Sequence, residues 1–188
     1  MGIISYKDNP PICNLDRPII ESEGTWWIAK VKPRQEKAFA RDLLERGVGY
    51  YIPCYIKVTR RSDGKKRKSV LVLFPSYVPF ISENPYPLLS FNRISTILPV
   101  QGQTKFKRQL NRIDVVNNSG IEIVPVSAGN YCIGDLVKVI SGPLKGLVGR
   151  VIRNQSGVSI VLVVEGMGAA SVTVSKYQLE SICRKNLF

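Results

Sequence analysis

The apolar positions along the first half of the chain change period several times, and each change predicts an element. Thr25-Trp26-Trp27-Ile28-Ala29-Lys30-Val31 is rich in aromatic and β-branched residues and predicts a buried strand. The period then shifts to that of a helix over 33–46. Pro33 stands where a first helical residue belongs, Phe39, Leu43 and Leu44 recur at helical spacing, Asp42 and Arg46 form an i,i+4 pair, and Gly47 ends the run. Residues 48–58 predict a second strand, with Pro53 at an edge or bulge because proline donates no ladder hydrogen bond. Ser62-Asp63-Gly64-Lys65 predicts a hairpin tip, Asp-Gly being a strong turn signal. Further strand material follows at 70–74, 77–81 and 94–100, broken by Pro75 and by a loop at 83–90. From 105 to 116, Phe106, Leu110 and Ile113 fall on one helical face. The order strand, helix, strand, strand, strand, helix predicts an α+β domain over 25–116, with helices flanking a mainly antiparallel sheet.

Either side of that domain the pattern differs. Residues 1–24 carry no periodic apolar positions and contain Pro10, Pro11 and Pro18, which predicts a mobile N-terminal tail. Residues 117–130, with Asn, Ser and Gly, read as a linker. Residues 131–183, within a second domain over 131–188, are almost all β-type, with strand runs at 136–140, 147–154, 158–165 and 170–175 punctuated by Gly and Pro. Five short strands in so few residues predict a small closed β-barrel, since closure removes exposed sheet edges.

Composition narrows the function. A chain of 188 residues that is 44% hydrophobic can build one large or two small cores. It has no run of eighteen apolar residues, so no transmembrane helix is expected. The N-terminus has no basic segment followed by an apolar stretch, so a cytoplasmic protein without a signal peptide is expected. Charge is the informative feature: 27 Lys and Arg against 14 Asp and Glu, a net +13, favour a polyanionic partner. The chain has no histidine, and its four cysteines (13, 54, 132, 183) form no C-x-x-C pair. No metal site and no disulfide framework are expected, and the cysteines read as small buried hydrophobes. Without His there is no Ser-His or Cys-His pair, and no glycine-rich phosphate loop follows a strand. The expectation is a non-enzyme without a cofactor.

Two charge clusters are candidate nucleic-acid contacts. The hairpin 57–68 holds Lys57, Arg60, Arg61, Lys65, Lys66, Arg67 and Lys68 against the single acid Asp63. Such an arm can lie along phosphates, which position a protein without specifying sequence, or be a solvated tip. The second cluster opens the first helix: Lys32, Arg34, Gln35, Lys37 and Arg41 stand beside free helix N–H groups, as a phosphate or single-strand site or as an ordinary solvated face.

Three further motifs carry a resemblance. Gly134 to Val151 opens a strand with Gly-Asp, ends it at Ser141-Gly142-Pro143, and places Gly146 and Gly149 where a side chain would obstruct the backbone. This segment resembles a KOW motif, found in NusG-type factors and in ribosomal proteins. Trp26-Trp27 with Lys32-Pro33-Arg34-Gln35-Glu36-Lys37, then Gly47-Val48 and Tyr51-Ile52-Pro53, resemble the opening of the NusG N-terminal domain. Leu73-Phe74-Pro75-Ser76-Tyr77-Val78 resembles its L-F-P-G/N-Y-L/V motif.

The resemblance implies a NusG-like N-terminal domain followed by a five-stranded KOW barrel. It implies a monomeric transcription elongation factor that binds the β′ clamp helices of RNA polymerase, holds the clamp closed and suppresses pausing. Ile28, Phe74 and Tyr77 would form the docking face by motif position. Lys32, Arg34 and Gln35 match positions that approach the non-template DNA strand in specialised relatives, nascent RNA being the other nucleic acid near such a factor. Two departures stand out. Pro79 occupies a position that usually carries a bulky apolar docking residue. Met167, in Glu165-Gly166-Met167-Gly168, stands where housekeeping members present a Phe to a ribosomal protein or Rho. This points to an operon-specific antiterminator. The alternatives are a housekeeping factor coupling polymerase to Rho and the ribosome, and a KOW-type ribosomal RNA-binding protein.

Overall fold

The computed structural model describes residues 9–60, 62, 64–126, 134–154 and 157–182. The chain divides into two compact units, Met1–Arg108 and Gln109–Phe188, with the division inside a helix.

The first unit is built on a five-stranded antiparallel sheet. Its strands are β1 (Cys13–Asn14), β2 (Trp26–Val31), β3 (Tyr50–Tyr51), β6 (Tyr77–Ile81) and β7 (Ile94–Pro99), in the order β1-β3-β6-β2-β7. Between β3 and β6 the chain leaves the sheet as a separate two-stranded arm, β4 (Cys54–Arg60) and β5 (Lys66–Val72). Helix α1 (Glu36–Glu45) covers one face. Alternation in β2 directs Ala29 and Val31 to that face, where they pack with Val78 and Phe80 of β6 and with Phe39, Ala40 and Leu43 of α1. Phe39 and Phe80 meet edge to face, with centroids 6.2 Å apart. Full burial of each such side chain contributes about 1.5–3 kcal/mol.

The opposite face carries Trp26, Ile28 and Lys30, which pair with Ile81, Pro79 and Tyr77 of β6. Helix α2 (Gln103–Asn118) begins beside Trp26. The Gln103 amide accepts from Trp26 N at 2.9 Å and donates to Trp26 O at 3.0 Å, and Phe106 meets the Trp26 ring at 6.0 Å.

Several expectations change here. Helix α1 starts at Glu36, not at Pro33, because Pro33 and Arg34 form a turn closed by Gln35 N donating to Lys32 O, with Arg34 in the left-handed region at φ 64°. The strand expected over 48–58 breaks at Ile52-Pro53 into β3 and β4, which belong to different sheets. Asp42 bonds Arg93 rather than Arg46, whose guanidinium lies 3.8 Å from the Phe91 ring centroid.

Residues 9–24 were expected as part of a mobile tail, but Cys13–Asn14 join the sheet and Ile19–Glu21 form a 3-10 turn; residues 1–8 of that segment lie outside the described residues. Strand β1 pairs with β3, and Ile52 N donates to Ile12 O at 2.7 Å. A 3-10 turn at Ile19–Glu21 buries Ile19, and Ser22 Oγ accepts from Trp26 Nε1 at 3.0 Å. The segment lacked a periodic pattern because it is held mainly by main-chain bonds and by one apolar plug.

The second unit contains the end of α2 and a six-stranded antiparallel sheet. Its strands are β8 (Ile123–Val126), β9 (Leu136–Val139), β10 (Val148–Asn154), β11 (Gly157–Val164), β12 (Gly168–Val174) and β13 (Leu179–Ser181), in the order β13-β9-β10-β11-β12-β8. Five strands were expected, and the sixth, β8, comes from the stretch read as linker; its residues pair with β12 from Ala169 to Val172. Among the described residues six strands pair and no pairing joins the two ends of this order, so the closed five-stranded barrel expected is not shown there. Gly146 takes φ 92°, and a Cβ at Gly149 would lie 2.1 Å from Ile160 Cγ2. Both glycines are therefore required, one by backbone conformation and the other by close approach. No helix among the described residues is long and apolar enough to cross a membrane.

Candidate nucleic-acid and protein interfaces

The turn between β2 and α1 gathers polar side chains from three elements. Lys32 Nζ donates to Asn92 Oδ1 at 3.0 Å. Arg93 donates through Nε to Asp42 Oδ2 at 2.7 Å and through a terminal nitrogen to Gln35 Oε1 at 2.6 Å, while its carbonyl accepts from Lys32 N at 2.8 Å. These groups surround an open depression also lined by Pro33, Ser90 and Phe91. Gln35, expected to face nucleic acid, is thus occupied in orienting Arg93. Arg93 and Asn92 were missed by sequence reasoning, because they lie about sixty positions away and reach the cluster only through β7 and the loop before it.

Arg34, Lys37 and Arg41 point elsewhere, into a groove of about 330 Å³ between α1 and the arm, with Tyr55, Val70, Leu71, Val72 and Pro75. Lys37 Nζ donates to Val70 O at 2.7 Å. Burial lowers its pKa below the ordinary lysine value, against the opposing pull of Cys54 and Glu36. The helix-start cluster of the sequence is therefore two groups, and Lys37 serves to fasten the arm.

The arm is a regular hairpin. Its register runs from Cys54↔Val72 to Arg60↔Lys66, and Arg60, Lys66, Arg67 and Lys68 are exposed. The strands end at Arg60 and Lys66, and Asp63 of the expected Asp-Gly turn lies outside the described residues. Lys65 directly precedes β5 and is exposed; Arg61 also lies outside the described residues.

Ile28 and Tyr77 share the sheet face opposite α1, as the pairings Ile28↔Pro79 and Lys30↔Tyr77 require. Ile28 is buried and Tyr77 half-buried. Phe74 is buried in the turn before β6. That turn is tight: Tyr77 N donates to Phe74 O, and Ser76 adopts φ 68°. The buried Glu36 carboxylate accepts from Ser76 N at 2.7 Å, tying the turn to the start of α1. Met167 lies in the turn between β11 and β12 and is buried.

A family model described as "Transcription termination factor nusG" matches residues 24–113. This segment of the chain belongs to the NusG family. The NusG-family segment begins just before β2 and ends inside α2, so it holds both sheet faces, the arm and the polar cluster around Arg93. Family members are transcription factors, as that description states. Among solved structures, "Domain interaction in Thermotoga maritima NusG" is similar at 19% identity, covering 85% of this chain and 98% of that one, with a TM-score of 0.46. "Crystal Structure of MjSpt4:Spt5 complex conformation B" is similar at 16% identity, covering 86% and 99%, with a TM-score of 0.26. At such TM-scores neither likeness adds weight to the NusG assignment. No curated protein matches the chain.

Proposed function

We propose that this chain is a non-catalytic transcription elongation factor that binds the RNA polymerase clamp helices, suppresses pausing, and serves as an operon-specific antiterminator. The observation that carries this reading is the NusG-family match over residues 24–113. The docking face is the sheet face opposite α1, with Ile28 and Tyr77 on it and Phe74 at its margin. In its support, β2 and β6 pair so that Ile28 and Tyr77 lie on the same sheet face, with Tyr77 part-exposed and Ile28 buried beside it. Two separate surfaces face nucleic acid, the non-template DNA strand or nascent RNA: Lys32 with Asn92 and Arg93 at the turn before α1, and Arg34 and Arg41 in the groove beside the arm. The second unit serves as the KOW domain, with Met167 in its partner-binding turn. The mechanism is conformational: binding energy that favours one polymerase state, with no bond made or broken.

The test is retention of purified RNA polymerase by the immobilised protein. Wild type is expected to retain polymerase, and a Tyr77→Ala variant with an unchanged circular-dichroism spectrum is expected to lose it. Retention by both would remove Tyr77 from the docking face. Failure of wild type to retain polymerase, together with co-sedimentation with ribosomes in high salt, would replace this reading with that of a ribosomal RNA-binding protein.

A further inference from the structure

The arm carries its cations on both faces. In an antiparallel pair, directly opposed residues point to the same side. The register therefore puts Arg60, Lys66 and Lys68 on one face, with Ile56, Val58 and Val70. It puts Lys57 and Arg67 on the other, with Tyr55, Thr59, Ser69 and Leu71. No ion pair among the described residues involves any of these five cations. Arg60 and Lys66 stand directly opposite each other, a like-charge pairing that weakens a hairpin unless anions surround it. On the first face Ile56 is 48% and Val58 53% exposed, so apolar surface runs up to the charged tip.

A ribbon lying along one phosphate backbone needs cations on one face only. Cations on both faces suit a ribbon with a backbone on each side. The dimensions agree: a two-stranded ribbon with its side chains is roughly 10 Å thick, and the major groove of B-form DNA is about 12 Å wide and 8.5 Å deep. The outermost three residue pairs, Arg60↔Lys66, Thr59↔Arg67 and Val58↔Lys68, span about 7 Å along the arm, within that depth. They hold four of the five strand cations.

We infer that the β4–β5 arm enters the major groove of double-stranded DNA tip first, with one phosphate backbone against each face. This rests on the reading above that the chain contacts nucleic acid, extends it to the arm, and names the arm's ligand: a B-form duplex, contacted at both strands. An A-form RNA duplex has a deep, narrow major groove that excludes such a ribbon, and a single strand offers one backbone only.

The experiment is fluorescence anisotropy of the full chain with a 20-base-pair DNA duplex, a single strand of the same sequence and the matching RNA duplex, at several salt concentrations. Duplex DNA should bind about tenfold tighter than either competitor, the margin expected when a second backbone is engaged. Lys66→Ala on one face and Arg67→Ala on the other should each weaken duplex binding and reduce the salt slope by about one. Both side chains are exposed, and unchanged circular dichroism confirms folding of the variants. Loss from one face alone, or equal affinity for duplex and single strand, overturns groove entry while leaving nucleic-acid binding intact. Absence of binding to all three by wild type at low salt removes the nucleic-acid reading itself, and groove entry with it.

Discussion

At the residue scale, a few side chains hold geometry that their neighbours cannot hold alone. Glu36 is 7% exposed and accepts the Ser76 amide, fixing a turn whose Ser76 sits in the left-handed region where glycine or asparagine is more at ease. Glu36→Ala would leave that amide without its charged acceptor, and a loss of about 1.5–3 kcal/mol is expected, read as a lower urea midpoint. Cys54 makes a different prediction. Burial raises its thiol pKa from 9.0 to about 11, with nearby Lys37 opposing the shift. The folded chain therefore keeps this proton where the unfolded chain gives it up. The stabilisation is complete below pH 9.0 and is lost as pH rises toward about 11. The loss is at most about 3 kcal/mol. Peptide mapping after maleimide treatment at pH 8 should show Cys13, which is exposed, modified well before Cys54. The exposure of Cys13 also corrects the reading of every cysteine as a buried hydrophobe.

At the element scale, the N-terminal segment is the chief departure from the sequence pattern. Strand β1 covers the edge of β3, and Ile19 plugs the unit at 2% exposure. Ile19→Ala should cost about 2–4 kcal/mol in thermal or urea unfolding, a magnitude that a mobile tail could not give. Helix α1 shows the opposite case. Its buried residues Phe39 and Leu43 were readable from spacing, whereas its start was not. A positive φ at Arg34 leaves no mark in a hydrophobic pattern.

At the scale of the whole molecule, the two units make separate predictions. The second unit uses β8, from the stretch read as linker, as its sixth strand. A fragment over 119–188 should fold with a β-type circular-dichroism spectrum, and one over 129–188, lacking β8, should melt at a lower temperature. Equal melting of the two would mean that the β8–β12 pairing contributes nothing to stability. A helix-dominated spectrum from the longer fragment would contradict the sheet outright. The net charge of +13 acts at this scale too, drawing the chain toward polyanions in a salt-dependent way, while local geometry decides which surface makes the contact.

The sequence alone determined whatever depends on local period and composition. That includes the α+β order of 25–116, the buried faces Phe39–Leu43 and Phe106–Leu110–Ile113, the β character after residue 131, the basic arm and the motifs of a NusG-like segment. These follow from side-chain alternation and from charge, which each residue carries wherever it is placed. The tertiary structure decided what depends on distant main-chain partners. Residues 13–14 became part of a sheet because β3 offered an open edge, and 123–126 became a strand because β12 did. Arg93 joined Lys32 and Gln35 because β7 pairs with β2. The basic cluster at the start of α1 was divided because a turn at Pro33-Arg34 aims its members into different recesses. Backbone hydrogen bonds are the same for every residue type, so the sequence carries little record of which edges will meet.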